Sequence, residues 1–293
     1  MKHEIFSGVC TALVTPFRDG APDLVALAEL TRDQIEAGVS AVCVAGTTGE
    51  AATLSELEFC RAVETVLGAV AGRIPVVVGV GTPSTETSCR RSRFARSAGA
   101  DALLAVTPYY NKGTDDGLVR HFHAIAEAGQ LPVIVYNVPS RTGRDLTAAL
   151  YRRIASHPLI LAVKEAGGGY ERLYPLIAEL GDRLTVYTGN DGGILPAIAM
   201  GCRGVISVLS NILPRETVEL TDALLAGRLS EGRALQYRLL PLIEALFAET
   251  NPAPIKCALE LTGAINGELR LPLTPVSPAL REQIAYLLGL PSR

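Results

Sequence analysis

Lys164 ends an otherwise apolar run, LILAVKEA over 159–166, and Gly167, Gly168 and Gly169 follow it. Such a run reads as a strand buried on both faces that stops at a turn. A lysine there is costly unless it snorkels, pairs or gives up its proton. A neutral amine is a nucleophile toward carbonyl carbon. Two readings are open: an imine-forming lysine at the carboxyl end of an inner strand, or a lysine paired with a carboxylate, since perturbed lysines also serve structure. The stretch alone favours the ion pair; the other polar residues favour the imine.

Those residues also fall after apolar runs: Thr15, Thr47, Thr48, Tyr110, Tyr136, Arg141, Asn190 and Ser207. Thr47 and Thr48 lie between two glycines, which lets hydroxyls and backbone N–H groups approach a carboxylate closely. They can equally bond their own turn. Glu50 beside them reads as a carboxylate that orients the loop or accepts from backbone N–H groups. Tyr136 needs a partner for its phenol, and beside an imine-forming lysine it can shuttle protons. Without that lysine it would be a core tyrosine. Tyr109 and Tyr110 are indistinguishable by propensity, and either can be a surface or subunit-interface residue. Arg141, after Pro139 and Ser140, can clamp a carboxylate in two-point fashion, or be an ordinary surface arginine.

The elements that must position these residues alternate. Apolar runs at 9–14, 41–45, 75–80, 101–106, 132–136, 159–166, 184–187 and 204–208 predict eight short strands. Amphipathic stretches separate most of them, Asp23 opens the first helix, and Ser55-x-x-Glu58 is a capping box. Eight βα units imply right-handed crossovers and a parallel sheet closed as a (β/α)8 TIM barrel. After Asn211 the chain reads as helices alone, near 215–226, 230–247, 253–262 and 277–288. The expected division is a barrel with the active site over 1–212 and a helical appendage over 213–293. Active sites of such barrels lie at the carboxyl ends of the strands, where the polar residues collect.

Composition narrows the class. The chain has 293 residues, 48% of them hydrophobic, and a net charge of -3. That suits a globular α/β protein and favours neither nucleic acid nor an anionic membrane. The start, MKHEIFSGVC, has no apolar signal region, and no apolar run reaches membrane-span length. Six scattered cysteines without CxxC spacing predict reduced thiols and a cytoplasmic protein. His121 and His123 stand two apart on a helix and face different ways. With only His3 and His157 besides, no metal site is expected. The glycines at 167–169 lack a Walker or dinucleotide pattern, so no phosphate cofactor is expected either.

Taken together, GTTGE (46–50), TPYYN (107–111), YNVPSRTG (136–143), VKEA (163–166), TGND (188–191), GVISV (204–208) and NPAPIK (251–256) resemble a known family. It is the family of pyruvate-dependent class I aldolases and lyases typified by dihydrodipicolinate synthase and N-acetylneuraminate lyase. The resemblance spans nearly the whole chain. In its double threonine and Arg141 it resembles the former branch; a pyruvate aldolase acting on a sugar acid or another aldehyde is the alternative. The resemblance implies that Lys164 forms an imine with pyruvate. It implies a proton relay of Tyr136, Thr47 and Tyr110, the last reaching into a neighbouring subunit's site. It implies that Thr48 binds the pyruvate carboxylate and Arg141 that of L-aspartate 4-semialdehyde, with Gly189 and Ile206 lining the pocket through backbone groups. It further implies a product on the route to diaminopimelate and lysine, no metal or organic cofactor, and a homotetramer built as a dimer of dimers.

One departure stands out. Lysine-inhibited members carry histidines after GTTGE and an Asn and a Glu after the third strand. The matching positions here are Glu56, Phe59, Pro83 and Thr87, and Ala51 replaces a usual serine. Feedback inhibition by lysine is therefore not expected.

Overall fold

The computed structural model describes residues 4–290. Eight parallel strands close into a barrel: β1 (Gly8–Ala12), β2 (Ala41–Val44), β3 (Val76–Gly79), β4 (Ala102–Val106), β5 (Val133–Asn137), β6 (Ile160–Glu165), β7 (Thr185–Thr188) and β8 (Gly204–Ser207). Each strand pairs with its sequence neighbours and β8 returns to β1, so the sheet has no free edge. Every strand is nearly or wholly buried, because its two faces meet different cores. The larger core lies between strands and helices. The smaller one fills the barrel interior and includes Cys10, Cys43, Ile134, Tyr136, Ala162 and Ile206.

Side chains alternate along a strand, so these interior residues fix the parity of the rest. On β6, Ala162 faces the interior and so does Lys164; Val163 and Glu165 face the helices. On β5, Ile134 and Tyr136 face inward. The register sets Tyr136 beside Lys164 and Lys164 beside Tyr187. The lysine thus projects into the barrel near its carboxyl end, flanked by two tyrosine-bearing strands. Phe6, ahead of β1, stacks on Tyr187 with ring centroids 4.0 Å apart, and the Tyr187 hydroxyl donates to the Phe6 carbonyl. The interior is a packed core, as in other eight-stranded barrels.

The helices between strands are α1 (Leu24–Glu36), α2 (Glu56–Val70), α3 (Thr85–Ala98), α4 (Asp115–Gly129), α5 (Ala148–Ile154), α6 (Leu173–Leu180) and α7 (Ile194–Ala199). Asp23 caps α1 and the Ser55–Glu58 capping box of α2 is complete. After β8 come α8 (Pro214–Leu225), which packs on β1, then α9 (Leu229–Ala248), α10 (Ala253–Leu261) and α11 (Pro278–Leu287). Sequence reasoning did not place α6 and α7, nor a small hairpin pairing Phe17–Arg18 with Ala21–Pro22. Short helices behind glycine-rich turns carry too few periodic positions to stand out. Among the described residues, no helix is long and apolar enough to cross a membrane.

Candidate active site

A cavity of about 300 Å³ opens beside the carboxyl ends of β2 to β5. Gly46, Thr47, Glu50, Tyr109, Tyr136 and Arg141 line it, with Asn251 and Pro252 from the turn before α10. The Lys164 amine lies 4.3 Å from the centroid of the Tyr136 ring. Only 6% of Lys164 is exposed. Gly189, just past β7, makes this placement possible. A Cβ there would lie 2.7 Å from Lys164 Cε and 2.9 Å from Ala166 Cβ, so any side chain would displace the lysine stem. Ile206 lies buried on the inner face of β8. A shielded primary amine, a neighbouring phenol and a small cavity with an arginine at its wall suit the capture of a short keto acid.

The threonines of the β2 turn separate. Thr47 is half-buried and lines the cavity. Thr48 is buried, and its hydroxyl oxygen accepts from Asn251 Nδ2 at 3.1 Å. Thr15 donates to the Gly49 carbonyl at 2.8 Å, so its hydroxyl serves the turn. Arg141 sits in a single helical turn, Pro139–Thr142, and Nη2 donates to the Asn251 carbonyl at 3.0 Å. The two tyrosines also part company. Tyr109 is half-buried against the cavity, and burial raises its phenol pKa. Tyr110 is 94% exposed with φ +68°. Asn190 caps the turn after β7 by accepting from Gly192 N.

Three buried polar clusters were not visible from sequence. Glu50 and Lys256 form an ion pair with both side chains essentially inaccessible. Lys256 also donates to the Glu268 carbonyl, and Glu50 Oε2 accepts from Arg270 N at 3.2 Å. Burial lowers the Lys256 pKa while the Glu50 carboxylate opposes that shift. Glu50 therefore orients its loop as expected, through a lysine 206 positions away. Second, on the outer face of β5 and β6, Glu165 accepts from Asn137 Nδ2, the Tyr151 hydroxyl and Gly167 N. Burial raises the Glu165 pKa against these bonds. Gly167, the first glycine of that run, thus serves this carboxylate. Third, Asp191, fully buried, accepts from Ser207 Oγ at 2.5 Å and from Val208 N and Leu209 N, which ties the turns after β7 and β8. A lysine within PIKCALE and a carboxylate in TGND were the available signals for the first and third.

The three described histidines are held by structural contacts. His121 is buried, shares a hydrogen bond with Thr85 Oγ1, and burial lowers its pKa to about 4. His123 meets the Ile154 carbonyl and His157 Nδ1 accepts from Leu159 N. His3 lies outside the described residues. Among those residues no group of three or more His, Cys, Asp or Glu could hold a metal ion, and all six cysteines are free thiols.

Fold and site define a closed (β/α)8 barrel with a shielded lysine at the carboxyl end of its sixth strand. A profile of the dihydrodipicolinate synthetase family matches residues 5–289, and the chain belongs to that family. A 4-hydroxy-tetrahydrodipicolinate synthase of Pelobacter propionicus is 44% identical over 97% of this chain and 98% of its own. The crystal structure of dihydrodipicolinate synthase from Thermotoga maritima superposes with a TM-score of 0.95 at 41% identity, covering 98% of both chains. A relative from Cyanidioschyzon merolae, solved with lysine bound, has a TM-score of 0.94 at 37% identity and covers 98% of this chain and 99% of its own.

Proposed function

We propose that this chain is a 4-hydroxy-tetrahydrodipicolinate synthase, condensing pyruvate with L-aspartate 4-semialdehyde through an imine on Lys164. The observation that carries the reading is Lys164 itself: inside the barrel, 4.3 Å from the Tyr136 ring, within a chain of this family. The Lys164 amine attacks C2 of pyruvate, and loss of water leaves the imine. Tyr136 and Thr47 pass the protons that this addition and dehydration require. The Thr48 hydroxyl holds the pyruvate carboxylate, and backbone groups of Gly189 and Ile206 border it. The protonated imine draws electrons from the methyl carbon, which loses a proton and becomes an enamine carbon. That carbon attacks the aldehyde, whose oxygen becomes the product hydroxyl. The Arg141 guanidinium clamps the semialdehyde carboxylate meanwhile. The product's own amine then attacks the imine carbon, closes the ring and releases Lys164.

Tyr110 completes the relay in a second subunit. Its exposure on a loop next to cavity-lining Tyr109 supports that role; the assembly we propose is a homotetramer working as a dimer of dimers. We place the enzyme in the cytoplasm, feeding diaminopimelate and lysine synthesis. The test is turnover with pyruvate and aspartate semialdehyde beside turnover with pyruvate and N-acetylmannosamine. Condensation of the first pair alone is expected. Preference for the second, or turnover of neither, would overturn the proposal.

A further inference from the structure

Asn251 hydrogen-bonds to both proposed carboxylate-binding side chains. Its side-chain amide donates to Thr48 Oγ1 at 3.1 Å, and its backbone carbonyl accepts from Arg141 Nη2 at 3.0 Å. It is 6% exposed and lines the cavity, and its Oδ1 is buried without a hydrogen-bond partner. A buried amide left half-unpaired is uncommon and calls for a reason.

A threonine hydroxyl has one hydrogen to give and two lone pairs to receive. While Asn251 Nδ2 donates to one lone pair, the Thr48 hydrogen is free for another acceptor. A carboxylate, acceptor-only when ionised, is the partner that needs it. With an acceptor in place of Nδ2, the Thr48 hydrogen would turn away from the substrate. Arg141 depends on a different atom of the same residue, the carbonyl, which survives any change of side chain.

We propose that Asn251 is a positioning residue that fixes the Thr48 hydroxyl as a donor to the pyruvate carboxylate, while its backbone carbonyl independently sets Arg141 for the second substrate. The inference rests on the condensation proposed above. It makes the segment leading into α10 part of the pyruvate site and separates the two substrates by chemistry: side chain for one, backbone for the other.

The experiment is Asn251→Asp, near-isosteric but with an acceptor in place of the donor. Two quantities are read: the pyruvate concentration giving half-maximal borohydride trapping, and KM for each substrate. Pyruvate half-saturation is expected to rise about 10- to 100-fold, or ~1.4–2.8 kcal/mol at ~1.4 kcal/mol per decade. The semialdehyde KM should stay within about threefold, because Arg141 keeps its acceptor. A merely structural defect would move both. Asn251→Leu, which removes the donor without adding charge, should weaken pyruvate in the wild-type background. It should have no further effect in a Thr48→Val background, because coupled residues act non-additively. If Asn251→Asp fails to fold, this cycle decides alone. Unchanged pyruvate half-saturation, equal loss for both substrates, or additive effects with Thr48→Val would overturn the inference. Failure of the wild-type protein to trap pyruvate at all would instead overturn the condensation itself.

Discussion

Lys256→Met leaves the Glu50 carboxylate buried without its ion-pair partner. In the native chain its Oε1 meets the Lys256 amine and its Oε2 meets Arg270 N. The lysine side chain is 0% exposed and the glutamate 1%, so the native pair is shielded from bulk water. Methionine matches the lysine stem in shape and removes the charge, including its place over the Phe17 ring, 4.1 Å from the centroid. Removing one member of such a pair costs about 3–5 kcal/mol. Unfolding entropy is ~2.1 cal/mol/K per residue, so for this chain the loss is about 5–8 °C in Tm. The consequence reaches the site, since Glu50 N donates to the Thr47 carbonyl at 3.1 Å in the same turn. Pyruvate half-saturation should rise as well. Thermal unfolding of Lys256→Met, Glu50→Gln and the double variant, with pyruvate titration, is the assay. The double variant should regain most of the stability that Lys256→Met loses, because no charge is then left buried alone. A Lys256→Met protein within about 1 kcal/mol of wild type (under ~2 °C), or a double variant no better than Lys256→Met, would refute the reasoning.

Tyr136→Phe removes only a hydroxyl and should lower kcat by about 10²–10⁴. Arg141→Ala should weaken use of the semialdehyde and leave borohydride trapping of pyruvate in place; wild-type kcat/KM for the semialdehyde would exclude the clamp. Free lysine should not inhibit at millimolar concentration. Glu56 is already engaged by Arg90 and Arg91, and Arg91 lies over Phe59 at 4.6 Å, so no free carboxylate is left there for an incoming ammonium. Saturable sub-millimolar inhibition in initial rates would contradict this. Burial lowers the His121 pKa to about 4, below its ordinary value of 6.5. The unfolded chain therefore binds that proton first as pH falls. The His121 contribution to stability is complete above pH 6.5 and is lost between pH 6.5 and about 4, by up to about 3 kcal/mol. His121→Leu should flatten that part of the denaturation profile.

The barrel was legible because parallel strands covered on both faces must be continuous apolar runs, and eight such runs recur at regular spacing. Lys164 stood out because a charge at the end of such a run is costly. Its pairing with Tyr136 came from the resemblance and not from either segment, because it depends on the register of β5 against β6. Tyr109 and Tyr110 have the same propensity; backbone geometry separates them, one half-buried and the other at φ +68°. The bond from Asn251 to Thr48 spans 203 positions and involves residue types common in any turn. The Lys256–Glu50 pair was hidden for a similar reason: each end looks like a local feature until the fold joins them. Long-range polar pairs carry no periodic signal, whereas apolar burial does.

Borohydride reduction in the presence of pyruvate, followed by peptide mapping, tests the Lys164 imine most directly. The chain has four lysines, at positions 2, 112, 164 and 256, so the adduct can be assigned without ambiguity. One reduced adduct on the peptide containing Lys164, absent in Lys164→Ala, is the predicted result. An adduct on Lys2, Lys112 or Lys256, or one of full strength in Lys164→Ala, would contradict it.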